Sequence, residues 1–373
     1  MRVAIPSTFP PYRGGIAAFN ASMAAAFEAA GHEVVRVNWS RQYPKMLFPG
    51  TSQIAPDAAD SFNTPDCPAV LDSIGPWTWR RAAASLQRRG EVDVVLVPFW
   101  HAFLAPASAG VVRQMRSSVS PKIIGLMHNA GSHDGPAVME YLTRRFVRQL
   151  DEVWTLSADV AARVAAIGPS DLPVKTLFHP LYSHFPKAPG RTDALHSLGL
   201  PEDAEVYLFF GLIRPYKGLL RLLAAWHDFA EVRQHAHLLI AGECYSDVSE
   251  YQTAINHSPA SNRIHLHNRF IPDAEVGLYF GAARAVVLPY ERASQSGVTA
   301  MALHYGLPTL ASDVGGLSEY IQPGQTGELF VAGDTADLAE AWRVMASRDY
   351  SIEAFEAARD RFSWSRFAAS GLG

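Results

Sequence analysis

"EVYLFFGLIRPYKGLLRLLAAW", residues 205–226, passes from an unbroken apolar run through a basic turn flanked by glycines into a leucine-rich helical pattern. A short apolar run without alternation reads as a strand covered on both faces, the sign of a parallel sheet. Strands alternating with helices imply crossover connections. The same unit recurs along the chain. Downstream, "HLLIAG" (237–242), "RIHLHN" (263–268), "AVVLP" (285–289) and "TLAS" (309–312) read as strands. Upstream, so do "RVAIP" (2–6), "HEVVRVN" (32–38), "DVVLVPF" (93–99), "KIIGLM" (122–127), "EVWTL" (152–156) and "VKTLF" (174–178). Among them lie "IAAFNASMAAAFEAAG" (16–31) and "RRAAASLQRRG" (80–90), helices each closed by a glycine.

The pattern stops and restarts across "HPLYSHFPKAPGRTD" (179–193), rich in Pro, His and small polar residues, which reads as a linker. Two α/β domains of the doubly wound, Rossmann-like kind follow, over 1–180 and 181–352. The segment 42–76 has many breakers and no period, so it reads as an excursion or a plain surface loop. "SIEAFEAARDRFSWSRFAAS" (351–370) reads as one or two amphipathic helices whose aromatic stripe belongs in a core.

With 373 residues, 48% of them hydrophobic and 18% charged, the chain has material for two soluble cores. A net charge of −4 argues against a dedicated nucleic-acid binder. Residues 1–180 carry 17 Lys/Arg against 14 Asp/Glu, and residues 181–373 carry 15 against 22. The first half therefore suits an anionic ligand, a membrane surface or a solvated face. "TRRFVRQL" (143–150) is the basic, apolar stretch where anionic lipid could touch. Cys67 and Cys244 are the two cysteines, far apart and without metal-ligand spacing, which suits a reducing cytosol. The opening apolar run is too short and broken for a signal peptide, and no run reaches about 18 apolar residues. A cytoplasmic protein is expected, with peripheral contact at the inner membrane face left open.

Ligands of open α/β sheets gather where loops and helix N-termini meet at the carboxyl ends of strands. The chemistry-bearing residues fall there. Arg214 and Lys217 follow an apolar strand and could neutralise a phosphate or diphosphate; a pair of solvated loop cations is the plainer reading. "QSGV" (295–298) enters a helix with small residues, so backbone N–H groups and the helix dipole could meet an anion. Ser294 or Ser296 acting as a simple N-cap explains the same residues. Gly14 and Gly15 in "PPYRGGIAAF" (10–19) could bring amides to a phosphate or form a bare turn; the spacing is not that of a dinucleotide site. His128 in "GLMHNAGSH" (125–133) could hydrogen-bond a sugar hydroxyl or serve only the structure, with His101 and His133 as weaker candidates. Gly315, Gly316 and Glu319 form a third glycine-rich junction.

Taken in order, "PPYRGGIAAF…AAGHEV", "FFGLIRPYKGL", "LLIAGE", "VVLPY…QSGV…YGLP" and "ASDVGGLSEYIQPGQTGELF" resemble the retaining glycosyltransferases of family 4, from the first strand to about residue 333. The resemblance implies a GT-B fold: two Rossmann-like domains facing a central cleft, with a C-terminal helix (353–373) crossing back to the first. It implies transfer of a sugar from a UDP- or GDP-sugar to a glycan, a lipid-linked or a small-molecule acceptor, in polysaccharide or glycoconjugate assembly. Neither cofactor nor metal is implied. Arg214 and Lys217 match the pair that holds the donor diphosphate, Ser296, Gly297 and Val298 its distal phosphate turn, Gly14 and Gly15 the first-domain loop, and His128 the histidine near the donor sugar. The family's two glutamates, with seven residues between them, fall at Ala293 and Met301 here. Neither accepts a hydrogen bond from a hydroxyl, so Glu291, Gln295 or Ser296 is expected to substitute. A non-catalytic nucleotide-sugar binder and a GT-B epimerase are the alternatives.

Overall fold

Among the described residues, thirteen strands form two wholly parallel sheets. The computed structural model describes residues 1–44, 53–54, 63–88, 90–118, 120–131, 137–182, 185–245, 247–293 and 296–373. One compact unit is Met1–His179 with Trp364–Gly373, and the other is Pro180–Ser363.

The first unit holds β1 (Arg2–Pro6), β2 (Glu33–Arg41), β3 (Ala69–Asp72), β4 (Val94–Phe99), β5 (Lys122–Met127), β6 (Glu152–Thr155) and β7 (Val174–Thr176). Their order is β3-β2-β1-β4-β5-β6-β7. The helices are α1 (Gly15–Ala29), α2 (Pro76–Gln87), α3 (Ala105–Ser118), α4 (Ala137–Val147) and α5 (Ala158–Ile167). Period-two alternation sends side chains to opposite faces. Val3, Ile5, Val94 and Leu96 join a core with Phe19, Met23 and Phe27 of α1. Ala4, Val95 and Val97 join another with residues of α2 and α3.

The second unit holds α6 (Arg191–Ser197), β8 (Glu205–Phe210), α7 (Leu219–Val232), β9 (Ala236–Ala241), α8 (Ser249–His257), β10 (Ile264–His267), α9 (Asp273–Ala282), β11 (Ala283–Leu288), α10 (Gly297–Tyr305), β12 (Thr309–Ser312), β13 (Gly327–Phe330), α11 (Thr335–Ala346) and α12 (Ile352–Arg361). The order is β10-β9-β8-β11-β12-β13. β8 and β9 pair over their whole length, Glu205 opposite Ala236 to Phe210 opposite Ala241. Tyr207, Phe229 and Trp342 pack together, with Phe229 stacked on Trp342 at 4.4 Å between centroids.

The strand runs named from sequence all form strands, and two more appear. β3 arises inside the segment read as an excursion, of which 45–52 and 55–62 lie outside the described residues. β13 is the "GELF" of the glycine-rich tail. Both are four-residue edge strands, too short to carry a period. Helix α2 starts earlier than residue 80, with Pro76 in its first turn, where its missing N–H costs nothing.

The last segment divides differently from the expected boundary at 353. α12 stays in the second unit and only α13 (Trp364–Leu372) joins the first. There Phe367 is fully buried, against Phe19, Phe27, Phe178 and Trp364. Phe367→Ala is expected to cost the first unit about 3–5 kcal/mol, seen as a lower urea midpoint for that unit's transition.

Candidate functional site

In each sheet the order reverses once, between β1 and β4 and between β8 and β11. Right-handed crossovers then leave neighbouring strands toward opposite faces, opening a crevice at their carboxyl ends. In the second unit the segments that border it are 211–218, which carried the cationic motif, and 289–293 after β11, which leads toward the small-residue motif.

The loop after β8 is held from both sides. Ile213 N–H donates to Glu243 O at 2.9 Å, and Glu291 N–H donates to Tyr216 O at 2.8 Å. Gly218 closes it at φ 70 before α7 begins. A Cβ there would meet Pro289 O at 1.9 Å, so only glycine lets the loop seat against the end of β11. Lys217 thereby lies over Tyr290, its Nζ 5.0 Å from the ring centroid. A Cβ on Gly211 would stand 3.5 Å from that Nζ and 3.6 Å from a methyl of Val298, in the first turn of α10. The strand-end glycine, the lysine and the helix start thus converge.

Arg214 turns the other way, its guanidinium 5.3 Å from the Tyr245 ring on the loop after β9. The two cations therefore rest on separate rings. Among the described residues neither has a carboxylate partner, and cation–π contact leaves the charge undiminished for an anion.

At the start of α10 Ser296 is the N-cap, accepting from Val298 N–H at 3.2 Å. The plain N-cap reading holds for its side chain, and it occupies the Val298 amide. Gly297 packs on the buried Tyr182, whose hydroxyl would stand 2.7 Å from an added Cβ. Burial pushes that phenol up to about 12. Gln295, with Ser294, lies outside the described residues. The Glu291 carboxylate lies 3.5 Å from Arg221, giving it a structural partner in place of an open position. Met301 is buried on α10.

In the first unit Gly14 is the N-cap of α1 at φ 106, with no side-chain cap, and Gly15 is its first residue. Both are exposed. His128 follows β5 and packs edge-on to Phe19 at 4.7 Å. Burial, with a smaller push from His179, holds its imidazole down at about 3, so it is neutral. Among the described residues its Nε2 is buried without a hydrogen-bond partner, as are Thr8 Oγ1 and Asn20 Oδ1 near the end of β1. The Asn20 amide donates to Ser7 Oγ and Thr8 O. Sequence reading missed Thr8 and Asn20; the asparagine within the alanine-rich face of α1 was the available signal. His101 is spent capping a short 3₁₀ turn through Phe103 N–H. His133 lies outside the described residues, and Gly315–Tyr320 is a 3₁₀ turn. Among the described residues no group of three His, Cys, Asp or Glu is placed to hold a metal ion, and no helix is long and apolar enough to cross a membrane.

Comparison with known proteins gives two family models: glycosyl transferases group 1 over residues 204–347, and a glycosyl transferase 4-like domain over 14–177. A D-inositol 3-phosphate glycosyltransferase of Geodermatophilus obscurus is 32% identical over 47% of this chain and 41% of its own length. An alpha-maltose-1-phosphate synthase of Mycolicibacterium smegmatis is 28% identical over 64% and 66%. The chain thus spans about two fifths to two thirds of these relatives. Among solved structures, a sucrose-phosphate synthase from Thermosynechococcus elongatus superposes with a TM-score of 0.72 at 19% identity, covering 99% of this chain and 96% of that one. Anabaena HepE in complex with UDP-glucose gives 0.68 at 16%, covering 99% of each. At such identities the likeness speaks for the fold, which is GT-B.

Two outcomes follow from the local geometry. Gly218→Ala, strained at positive φ and blocked by the Pro289 carbonyl, should lose about 2–4 kcal/mol, read by urea unfolding. His128 has a folded pKa below its unfolded value, so its contribution is complete above about pH 6.5 and is lost as pH falls toward about 3. Within that window stability should drop by about 1.4 kcal/mol per pH unit from this group. His128→Gln should flatten that slope in unfolding curves collected across the window.

Proposed function

The chain belongs among the GT-B glycosyltransferases, both of its domains matching glycosyl transferase models, and from that premise we propose that it moves a sugar from a nucleoside-diphosphate donor, UDP or GDP, to an acceptor hydroxyl with retention at the anomeric carbon. The reaction is proposed to need no metal. The observation that carries this reading is the convergence of Lys217, Gly211 and the first turn of α10 at the crevice of the second unit, with no carboxylate among the described residues spending the lysine's charge.

In the proposed reaction the bond from C1 to the diphosphate oxygen breaks. The charge that grows on the leaving group is met by Lys217, by Arg214 and by amides at the start of α10. Donors fixed in advance at such a place are each worth about 2.7–4 kcal/mol of barrier. The acceptor oxygen bonds to C1 on the face the diphosphate leaves, and its proton passes to a diphosphate oxygen. His128, neutral and with an unpartnered Nε2, orients a sugar hydroxyl and supplies no proton. Gly14 and Gly15 offer exposed backbone at the start of α1. Glycan, glycolipid and small-molecule acceptors fit this scheme. One matched relative is named for glycosyl transfer to D-inositol 3-phosphate and another for making alpha-maltose-1-phosphate, so phosphorylated small molecules are the acceptors to try first.

Met301 and Ala293 favour one other reading, a donor-binding protein without transfer, since neither side chain can hold a sugar hydroxyl. The two are separated by incubating the protein with UDP- and GDP-hexoses, with and without acceptors, and following the anomeric proton by NMR. Transfer or slow hydrolysis with retained configuration supports the proposal; tight donor binding with neither product, or a donor converted to its epimer, defeats it. Lys217→Ala should lower turnover by about 100-fold or more while circular dichroism and the unfolding midpoint stay close to those of the parent. Turnover near the parent level would remove the lysine from the reaction.

A further inference from the structure

Four arginines of the first unit line one open depression of about 560 Å³. Arg113 and Arg116 come from the second half of α3, Arg145 from the last turns of α4, and Arg148 follows it. One acid, Asp151, shares the depression, and it is already committed. Its Oδ1 lies 2.6 Å from Arg116, and its Oδ2 accepts from Ile123 N–H at 2.7 Å. Among the described residues the Arg145 side chain reaches only the Tyr141 hydroxyl, at 3.4 Å. Among the described residues Arg113 and Arg148 have no carboxylate partner. The balance of four cations to one anion here equals the whole positive excess of residues 1–180.

Helix-dipole stabilisation accounts for cations in a last turn. It does not account for two helices aiming theirs into one hollow, where like charges repel. Guanidinium groups crowd in this way where a ligand brings negative charge and acceptor oxygens, and phosphate fits their planar forks. The location is separate from the proposed donor chemistry. α3 ends just before β5 begins and α4 just before β6 begins, so the hollow lies at the amino edge of the sheet. Gly14 and His128 follow the carboxyl ends of β1 and β5, at the opposite edge.

We propose that this depression is a binding site for a phosphate-bearing ligand, held by Arg113, Arg145 and Arg148 beside the Arg116–Asp151 pair. It lies beyond the transferase reading and does not depend on it. The phosphate can be carried by a soluble molecule or by a lipid headgroup. Val138 and Tyr141, both exposed and on the same face of α4 as Arg145, give an acyl-chain region something to touch.

The test uses the full chain, the double variant R113Q/R148Q, and Lys217→Ala to account for the proposed diphosphate site. Inorganic phosphate and pyrophosphate are titrated by calorimetry at constant ionic strength. Sedimentation is run with vesicles of phosphatidylglycerol and, as control, phosphatidylcholine. The expected result is at least one phosphate-bearing probe whose binding falls tenfold or more in R113Q/R148Q and persists in Lys217→Ala. Soluble phosphate alone points to a soluble ligand, and phosphatidylglycerol alone to a membrane. If no probe binds, or if R113Q/R148Q binds every probe as the parent does, the site does not exist. Donor turnover with a soluble acceptor should be unchanged in R113Q/R148Q, and that measurement stands or falls separately.

Discussion

A parallel sheet cannot be closed by hairpins, so every pair of strands needs a crossover. That constraint is what the rest of this molecule depends on. Two sheets built this way, each reversing its order once, must each open a gap at the reversal. In the second unit the gap falls between β8 and β11. The seam is sealed where Gly218 lies against the Pro289 carbonyl and where Tyr216 accepts from Glu291 N–H. Lys217, held by this seam, lies over Tyr290 and beside Gly211, close to the start of α10.

Much of this was legible in the sequence because central strands of parallel sheets are apolar throughout. "VVLVPF" and "AHLLIA" are buried at every position, and no other element writes itself so plainly. The edges were not legible. β3 and β13 have four residues each and owe their existence to a neighbour's unpaired backbone. The end of the second unit was misplaced for a related reason. Helices α12 and α13 are both amphipathic, and sequence does not say which core each aromatic stripe will meet.

The site was legible as residue types after strands, and less so as contacts. Arg214 and Lys217 read as a pair, yet the segment between them turns so that each rests on a different tyrosine, Tyr245 or Tyr290. Those tyrosines lie in other loops, and no local reading pairs them with the two cations. Glu291 read as a carboxylate for the donor, but Arg221, in the first turn of α7, pairs with it. His128 read as a histidine for a sugar hydroxyl or for the structure alone; its neutral state follows from burial among residues such as Phe19 that the local motif does not name. In each case a contact distant in sequence settled what a local reading left open.

The first unit is discontinuous along the chain: Phe367 and Ala368, with Trp364 and Leu372 beside them, fill a core whose members outside α13 end by Phe178. During synthesis the ribosome delivers 180–363, a contiguous unit, before the residues that finish its predecessor. The usual order, in which N-terminal domains fold first, is therefore inverted for the final step. Until translation reaches α13, the α1 face around Phe19 and Phe27 stays uncovered, and chaperones that hold apolar surface on nascent chains have a defined place to act.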